Sequence, residues 1–172
     1  MEKNSSPQGF TIFRGKDAPG VMESGCITIE PFTDTQQAAL AKAVEAGYLD
    51  GDQVKVLVNI PGFSLTYAWF KKSYPLGLHS HNVDCLYYIL AGTLRLGTCD
   101  LGPQDGFFVP AGAPYSFKPG PQGVEVLEFR HANQFNFRLL AKNEAFWNKA
   151  IETIKANHED WKVATPPSRT PG

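Results

Sequence analysis

The sequence predicts an all-β domain, a barrel or sandwich, with one helix before the strands and one after them. Three observations favour this fold class. From Val54 to about Arg130, short strand-like runs alternate with Gly, Pro and Asn, and many short strands with frequent turns are typical of antiparallel barrels and sandwiches. An alanine-rich segment precedes this region, and a segment with apolar residues at helical spacing follows it.

The N-terminal part predicts short elements. Residues 1–9 are polar and predict a disordered lead-in, and Phe10–Phe13 and Cys26–Ile29 predict short strands. A helix is expected to begin near Thr33, whose hydroxyl can cap free backbone N–H groups. The alanines that follow favour helix until Gly47.

The central region, residues 54–130, predicts the core of the domain. Its expected strands are Val54–Ile60, Phe63–Phe70, Cys85–Leu90, Thr93–Leu96, Gly106–Val109, Tyr115–Lys118 and Val124–Arg130. Breaks rich in Gly and Pro separate them, among them Ala91-Gly92 and Pro119–Gly123.

The last part of the chain predicts a loop and a helix in place of strands. Asn133, Gln134 and Asn136 predict a polar loop after His131. Asn143 can cap a helix that runs to about His158 (143–158). The domain is therefore expected to span 10–160, followed by a tail at 161–172, of which Thr165–Gly172 is expected to be disordered. The apolar residues that share one face of this helix are Trp147, Ile151 and Ile154.

Composition excludes several partner classes. The chain has 172 residues, enough for one domain, and a net charge of −1, which gives no electrostatic reason to expect nucleic acid or an anionic membrane. Its three cysteines show no C-x-x-C spacing, and the first ten residues lack the apolar core of a signal peptide. We expect a cytoplasmic protein with free thiols and a small-molecule substrate or ligand.

The stretch Gly77-Leu78-His79-Ser80-His81 carries the clearest chemical signal. Residues two apart in a strand share a face, so both imidazoles are expected to point the same way, about 7 Å apart along the strand. Two such imidazoles can converge on one divalent ion, although two polar residues at a strand end can also be merely structural.

This stretch and a second one resemble the two motifs of the cupin superfamily. The first motif is a Gly, a His-x-His, an acidic residue and a later Gly, here Gly92. The second is an Asp, a Pro-x-Gly and a His, matched by Asp105 and by Pro110-Ala111-Gly112. Cys85 stands at the acidic position and Tyr115 at the His position of the second motif.

The resemblance implies an all-β double-stranded β-helix (jelly-roll) barrel with flanking N-terminal and C-terminal helices. It also implies a homodimer and a divalent transition metal (Fe, Zn, Mn or Ni). Typical members hold the metal with three His and one Glu. Here His79 and His81 match as ligands, whereas Cys85 and Tyr115 match by position alone.

Four alternatives remain for completing the site. Cys85 can be a thiolate ligand, with Tyr115 or water beside it, or an ordinary buried residue. His131 can supply the missing imidazole, or Asp84 a carboxylate, although Asp84 should face away if Cys85 faces inward.

Further site candidates come from strand faces. Tyr67 and Trp69 share one face, Tyr87 shares a face with Cys85, and Glu128 and Arg130 share another. We expect either a metal-dependent enzyme acting on a small organic molecule, with a dioxygenase placed ahead of a lyase or isomerase, or a non-catalytic small-molecule binder or sensor without metal. Tyr115 and Cys85 are the expected catalytic residues.

Overall fold

The computed structural model describes residues 9–169, which form two β-sheets and two long helices. The strands are β1 Ile27–Ile29, β2 Asp52–Ile60, β3 Phe63–Phe70, β4 His79–Ser80, β5 Cys85–Leu96, β6 Cys99–Leu101, β7 Gly106–Val109, β8 Lys118–Arg130 and β9 Phe135–Leu139. The helices are α1 Asp34–Glu45 and α2 Glu144–Val163. Short 3₁₀ turns lie at Tyr48–Asp50 and Pro167–Arg169.

The two sheets form the walls of a jelly-roll barrel. The larger sheet has the order β2-β3-β8-β5-β6, with β7 paired to β5. The smaller sheet has the order β1-β9-β4, in which β1 and β9 run parallel. This arrangement, with α1 between β1 and β2 and α2 after β9, confirms the predicted fold class.

The register of the larger sheet aligns its inward-facing side chains in rows across the strands. One row contains Thr66, Glu128, Tyr87 and Phe107, each paired with the next. The neighbouring row begins with Ser64 opposite Arg130. Because alternate residues of a strand face opposite sides, these rows form the inner face of the barrel wall.

The outer face of β5 differs in character. Leu86, Tyr88 and Leu90 alternate with the buried residues of this strand and are exposed. The two faces are therefore distinguished by burial, not by polarity alone.

Both helices cover the barrel. A capping box between Thr33 and Gln36 begins α1, and the Gln36 amide donates to the Leu139 carbonyl at 2.9 Å. Asn143 caps α2. Trp147 and Ile154 of α2 are buried, and the half-buried Ile151 packs beside them, as the helical spacing predicts. α2 continues to Val163, five residues beyond the expected end.

Two predicted breaks lie inside strands. β5 runs through Ala91-Gly92, where its pairing with β8 shifts register, and Gly92 has φ +74°. A Cβ at Gly92 would lie 2.2 Å from the Gly123 carbonyl oxygen. The glycine therefore forms a bulge where the sequence predicts a turn. β8 likewise includes the Pro119–Gly123 segment.

Other local predictions are wrong. Phe10–Phe13 is exposed and unpaired within the described residues. Of the predicted strand at Tyr115–Lys118, Tyr115 forms an isolated bridge with His79 and Lys118 begins β8. The predicted polar loop after His131 contains β9, which pairs with both β1 and β4.

The expected disordered tail is ordered up to residue 169. The Ser168 backbone N–H and hydroxyl both donate to the Glu125 carboxylate, at 2.6 and 2.9 Å. Residues 1–8 and 170–172, the remainder of the predicted lead-in and tail, lie outside the described residues.

Among residues 9–169, neither helix is long and apolar enough to cross a membrane.

Candidate functional site

His79 and His81 lie at the edge of the smaller sheet and point into the barrel. β4 pairs His79 with Leu139 of β9, and the backbones of His79 and Tyr115 exchange hydrogen bonds at 3.1 and 2.9 Å. The His81 carbonyl accepts from the Gly112 N–H at 2.7 Å. The His-x-His and Pro-x-Gly segments therefore meet at this site.

Backbone carbonyls fix both imidazole rings. His79 Nδ1 lies 2.8 Å from the Gly77 carbonyl oxygen, and His81 Nδ1 lies 2.5 Å from that of Asn136. A carbonyl can only accept, so each neutral ring carries its proton on Nδ1 and a lone pair on Nε2. No described residue hydrogen-bonds to either Nε2 atom, so both remain available to a ligand.

Both histidines are neutral near pH 7. Burial lowers the pKa of His79 to about 4. Burial, followed by the positive charge of Arg130, also lowers the pKa of His81. The pair therefore offers two bases rather than two cations.

Aromatic rings surround the two imidazoles. The His79 ring lies 4.3 Å from that of Tyr115 and is stacked 5.0 Å from that of Phe137, measured between centroids. The His81 ring contacts that of Phe135 edge-on at 5.6 Å. These rings make an apolar wall that can hold a small organic molecule.

Tyr115 and Tyr87 meet from opposite sides of the barrel, and their hydroxyl groups are hydrogen-bonded to each other. Burial, together with the nearby Glu128 carboxylate, raises the pKa of both phenols. Both therefore remain protonated. One hydroxyl donates to the other, and the second keeps a proton that it can donate to a ligand.

Glu128 and Arg130 form a buried ion pair beside this cluster. Arg130 Nη1 lies 2.8 Å from a Glu128 carboxylate oxygen and donates to the Thr66 hydroxyl at 3.0 Å. The guanidinium carbon lies 4.0 Å from the Phe135 ring centre. Burial lowers the pKa of Arg130, but Glu128, together with Tyr87, Cys85 and Tyr115, raises it by more, so the net pKa lies above its ordinary value. The pair is neutral as a whole.

Cys85 lies on the inner side of β5 and is 1% exposed. Burial raises the pKa of its thiol to about 12. At neutral pH Cys85 is thus a small uncharged residue rather than a thiolate.

The comparisons with known proteins identify the fold. No family model and no curated protein matches the chain. The polyketide cyclase RemF from Streptomyces resistomycificus matches over 86% of this chain and 97% of its own, with TM-score 0.57 and 16% identity. This match and the meeting of the two motif segments inside a jelly-roll barrel lead to one conclusion. The fold is that of the cupin superfamily.

Two further matches are shorter. KdgF from a Halomonas species covers 46% of this chain and 80% of its own, with TM-score 0.42 and 21% identity. An RmlC-like cupin from Shewanella frigidimarina covers 48% and 78%, with TM-score 0.43 and 21% identity.

The four-ligand metal centre of typical cupins does not fit these residues. His79 and His81 suit a metal, because metal-binding histidines commonly donate their other ring N–H to a carbonyl. However, no group of three or more His, Cys, Asp or Glu among residues 9–169 is arranged to hold an ion. Cys85 is protonated, and the charge of Glu128 is already balanced by Arg130.

Several predicted site residues lie elsewhere. Tyr67 and Trp69 are on the outer face of β3, because Thr66, Ala68 and Phe70 occupy its inner face in register with the inner residues of β8. The Tyr67 hydroxyl donates to Glu125 at 2.6 Å. These two aromatic residues therefore do not line the cupin barrel.

The two alternative ligands also lie outside the cluster. His131 is exposed. Asp84 is exposed too and accepts from the Ala111 N–H at 2.7 Å, so it holds the Pro-x-Gly loop instead of facing the barrel.

Sequence reasoning missed Phe135 and Phe137, whose rings contact those of His81 and His79. The alternation of Phe135, Phe137 and Leu139 is a period of two that could have revealed β9.

Proposed function

We propose that the protein is an enzyme that transfers a proton on a small organic molecule bound inside the barrel. The observation that carries this proposal is the fixed tautomer of His79 and His81, whose carbonyl-bound Nδ1 atoms leave two neutral Nε2 lone pairs in the site. RemF, described as a polyketide cyclase, is an example of an enzyme on this fold. Because a fold does not determine a reaction, the residues of the site support the proposal.

The chemistry assigned to these residues is proton abstraction next to a carbonyl group. His79 Nε2 accepts the proton from carbon, and the C–H electron pair moves toward the carbonyl oxygen. The free proton of the Tyr87–Tyr115 pair is donated to that oxygen as its negative charge grows. Return of the proton to another carbon of the enolate gives an isomerisation, and this overall reaction needs no oxidant.

The surroundings suit this chemistry. His79 and Tyr115 are 4% and 7% exposed, and their rings are in contact. Exclusion of water strengthens the hydrogen bond to a developing oxyanion. Both residues are held by backbone hydrogen bonds to each other, which fixes base and donor in one arrangement.

The second candidate is a metal-dependent enzyme, with a dioxygenase first. It is favoured by the same Nδ1 contacts, which leave His79 and His81 able to hold a divalent metal with both Nε2 atoms. Such a metal would supply Lewis-acid or redox chemistry. A non-catalytic binder or sensor is the third candidate, and the homodimer stays a prediction.

Proton exchange in D₂O tests the proposal. The probes are phenylpyruvate and two neutral ketones, acetophenone and acetylacetone, each with exchangeable C–H groups next to a carbonyl. We expect the untagged, metal-stripped protein to accelerate exchange of at least one probe, followed by proton NMR. His79→Gln should lower the rate about 100-fold or more, the range ascribed to general bases, and Tyr115→Phe should lower it less.

The matched control is His158→Gln, because this histidine lies on α2, bound to Asp50 at 2.6 Å, away from the barrel. Its variant should keep the full rate. Acceleration that appears only when Fe, Zn, Mn or Ni is restored would replace the proposal by the metal-dependent candidate. Probe binding without exchange of any probe would overturn it in favour of a binder.

A further inference from the structure

Ser64 and Arg130 carry an unused pair of hydrogen-bond donors inside the barrel. They stand directly opposite each other in the register of β3 and β8. Both face inward and are 1% and 2% exposed. We infer that Ser64 and Arg130 bind the carboxylate of the ligand, which makes a small carboxylic acid the substrate class of the proposed function on which this inference rests.

The first support is that Ser64 and Arg130 each hold a buried polar atom without a hydrogen-bond partner. Among residues 9–169, the buried side-chain atoms without a partner are Ser64 Oγ, Trp69 Nε1 and Arg130 Nε. Two of the three belong to one cross-strand pair and face one volume. Buried polar groups are nearly always hydrogen-bonded, so an adjacent pair of unsatisfied donors indicates a binding partner that accepts.

The second support is the geometry of the guanidinium group. Its Nη1 already contacts Glu128 and Thr66, whereas its Nε has no partner. A carboxylate has two oxygens that can each accept. One can accept from Arg130 Nε and the other from the Ser64 hydroxyl, and hydrogen bonds between charged groups are the strongest of this kind.

The third support is the position of this pair relative to the proposed base. The Arg130 guanidinium lies against Phe135, whose ring also contacts that of His81. Beyond His81, the His79 ring is 5.2 Å away and contacts Tyr115 in turn. The site therefore has a donor end at Ser64 and Arg130, and a proton-transfer end at His79 and Tyr115.

The walls between the two ends are aromatic. Phe135 and Phe137 contact the histidines from β9. A ligand that spans the site thus carries a carboxylate at one end and an apolar or aromatic body.

Benzoate and its neutral analogue benzamide test the inference, because the two differ mainly in the group that would meet Ser64 and Arg130. Binding to the full chain is measured by titration calorimetry. We expect benzoate to bind at least tenfold more tightly than benzamide. Ser64→Ala should weaken benzoate about tenfold and leave benzamide nearly unchanged.

Arg130→Lys is the second variant, since it keeps a positive charge beside Glu128 and avoids leaving that carboxylate buried alone. It should also weaken benzoate, because an ammonium group lacks the Nε donor. The control is Ser24→Ala, whose hydroxyl is already bonded to the Val21 carbonyl at 2.7 Å outside the barrel. This control should bind benzoate like the unmodified protein.

Thermal unfolding gives an independent readout. Removal of an unsatisfied buried hydroxyl should raise the Tm of ligand-free Ser64→Ala, while the further rise caused by benzoate should shrink. A folded variant with a higher Tm and weaker benzoate binding would support the inference even if Arg130→Lys failed to fold.

Two results would overturn the inference: equal binding of benzoate and benzamide, or unchanged benzoate binding in Ser64→Ala. Neither would affect the proton-exchange result for neutral ketones. Conversely, loss of the proposed function in the exchange experiment would leave carboxylate binding intact, so the two failures are distinguishable.

Discussion

Tyr87 of β5 and Tyr115 of the loop before β8 join hydroxyl groups across the barrel, although they belong to different walls. The Tyr87 ring is also stacked 4.5 Å from Phe107, which fixes its position. The pair therefore couples the loop before β8 to the larger sheet through one buried hydrogen bond.

This relationship predicts strong coupling between two substitutions. Tyr115→Phe should lower the free energy of unfolding by about 1–3 kcal/mol, because the buried Tyr87 hydroxyl loses its partner. Tyr87→Phe should do the same. The double variant should cost less than the sum, since no unsatisfied hydroxyl remains. Urea unfolding of all four proteins measures the coupling, and additive costs would show that the hydroxyls do not depend on each other.

Ionisation of Asp52, which lies away from the candidate site, should make the stability of the protein depend on pH. Burial raises its pKa to about 6 from 3.8, with Lys71 opposing the shift. The folded state therefore holds this proton more tightly than the unfolded state. The stability that Asp52 contributes through this tighter proton binding is fully present below pH 3.8, the ordinary pKa. It is lost as the pH rises through about 6, the pKa in the folded state.

Asp52→Asn should accordingly raise the free energy of unfolding at pH 8, by about 1–3 kcal/mol, and change it little at pH 4. Urea unfolding at both pH values measures this. The control is Asp100→Asn, whose carboxylate is exposed and paired with Arg95 at the surface. An equal effect of Asp52→Asn at both pH values would show that ionisation is not its cause.

The buried side chain of Trp147 should account for much of the stability that α2 contributes. Its side chain is 3% exposed and its Nε1 donates to the Ala141 carbonyl at 3.1 Å. Trp147→Ala should lower the free energy of unfolding by about 3–5 kcal/mol, the usual cost of a large cavity. Lys149→Ala, on the exposed side of the same helix, should change it by less than about 0.5 kcal/mol. Similar losses in both variants would contradict a covering role for the Trp147 face.

The sequence predicts the inward His pair because a period of two leaves little freedom once a strand is assigned. It does not predict which face of a neighbouring strand is inward. On β3, the larger aromatic residues Tyr67 and Trp69 are the natural choice for a core, yet Thr66 faces inward. The reason is tertiary, because the inner row opposite Thr66 holds Glu128 and needs a hydroxyl partner for Arg130.

The sequence did not predict β9 for a related reason. Asn136 reads as a loop residue, but its side chain donates to Glu30 and accepts from the Asn82 N–H. Both partners are distant from Asn136 in sequence. Local propensity therefore cannot show that hydrogen bonds to them stabilise a polar residue in this strand. The order of the tail could not be predicted for the same reason, since the hydrogen bond from Ser168 to Glu125 joins residues 43 positions apart.

The parallel pairing of β1 with β9 has a kinetic consequence. The Asn136–Glu30 hydrogen bond joins residues 106 positions apart, and the same strand supplies the carbonyl that orients His81. Contacts of such long sequence separation form late and slow the folding of β proteins. During refolding, His81 should therefore acquire its native tautomer only after the two ends of the barrel have met, so ligand-binding competence should lag behind the appearance of sheet structure.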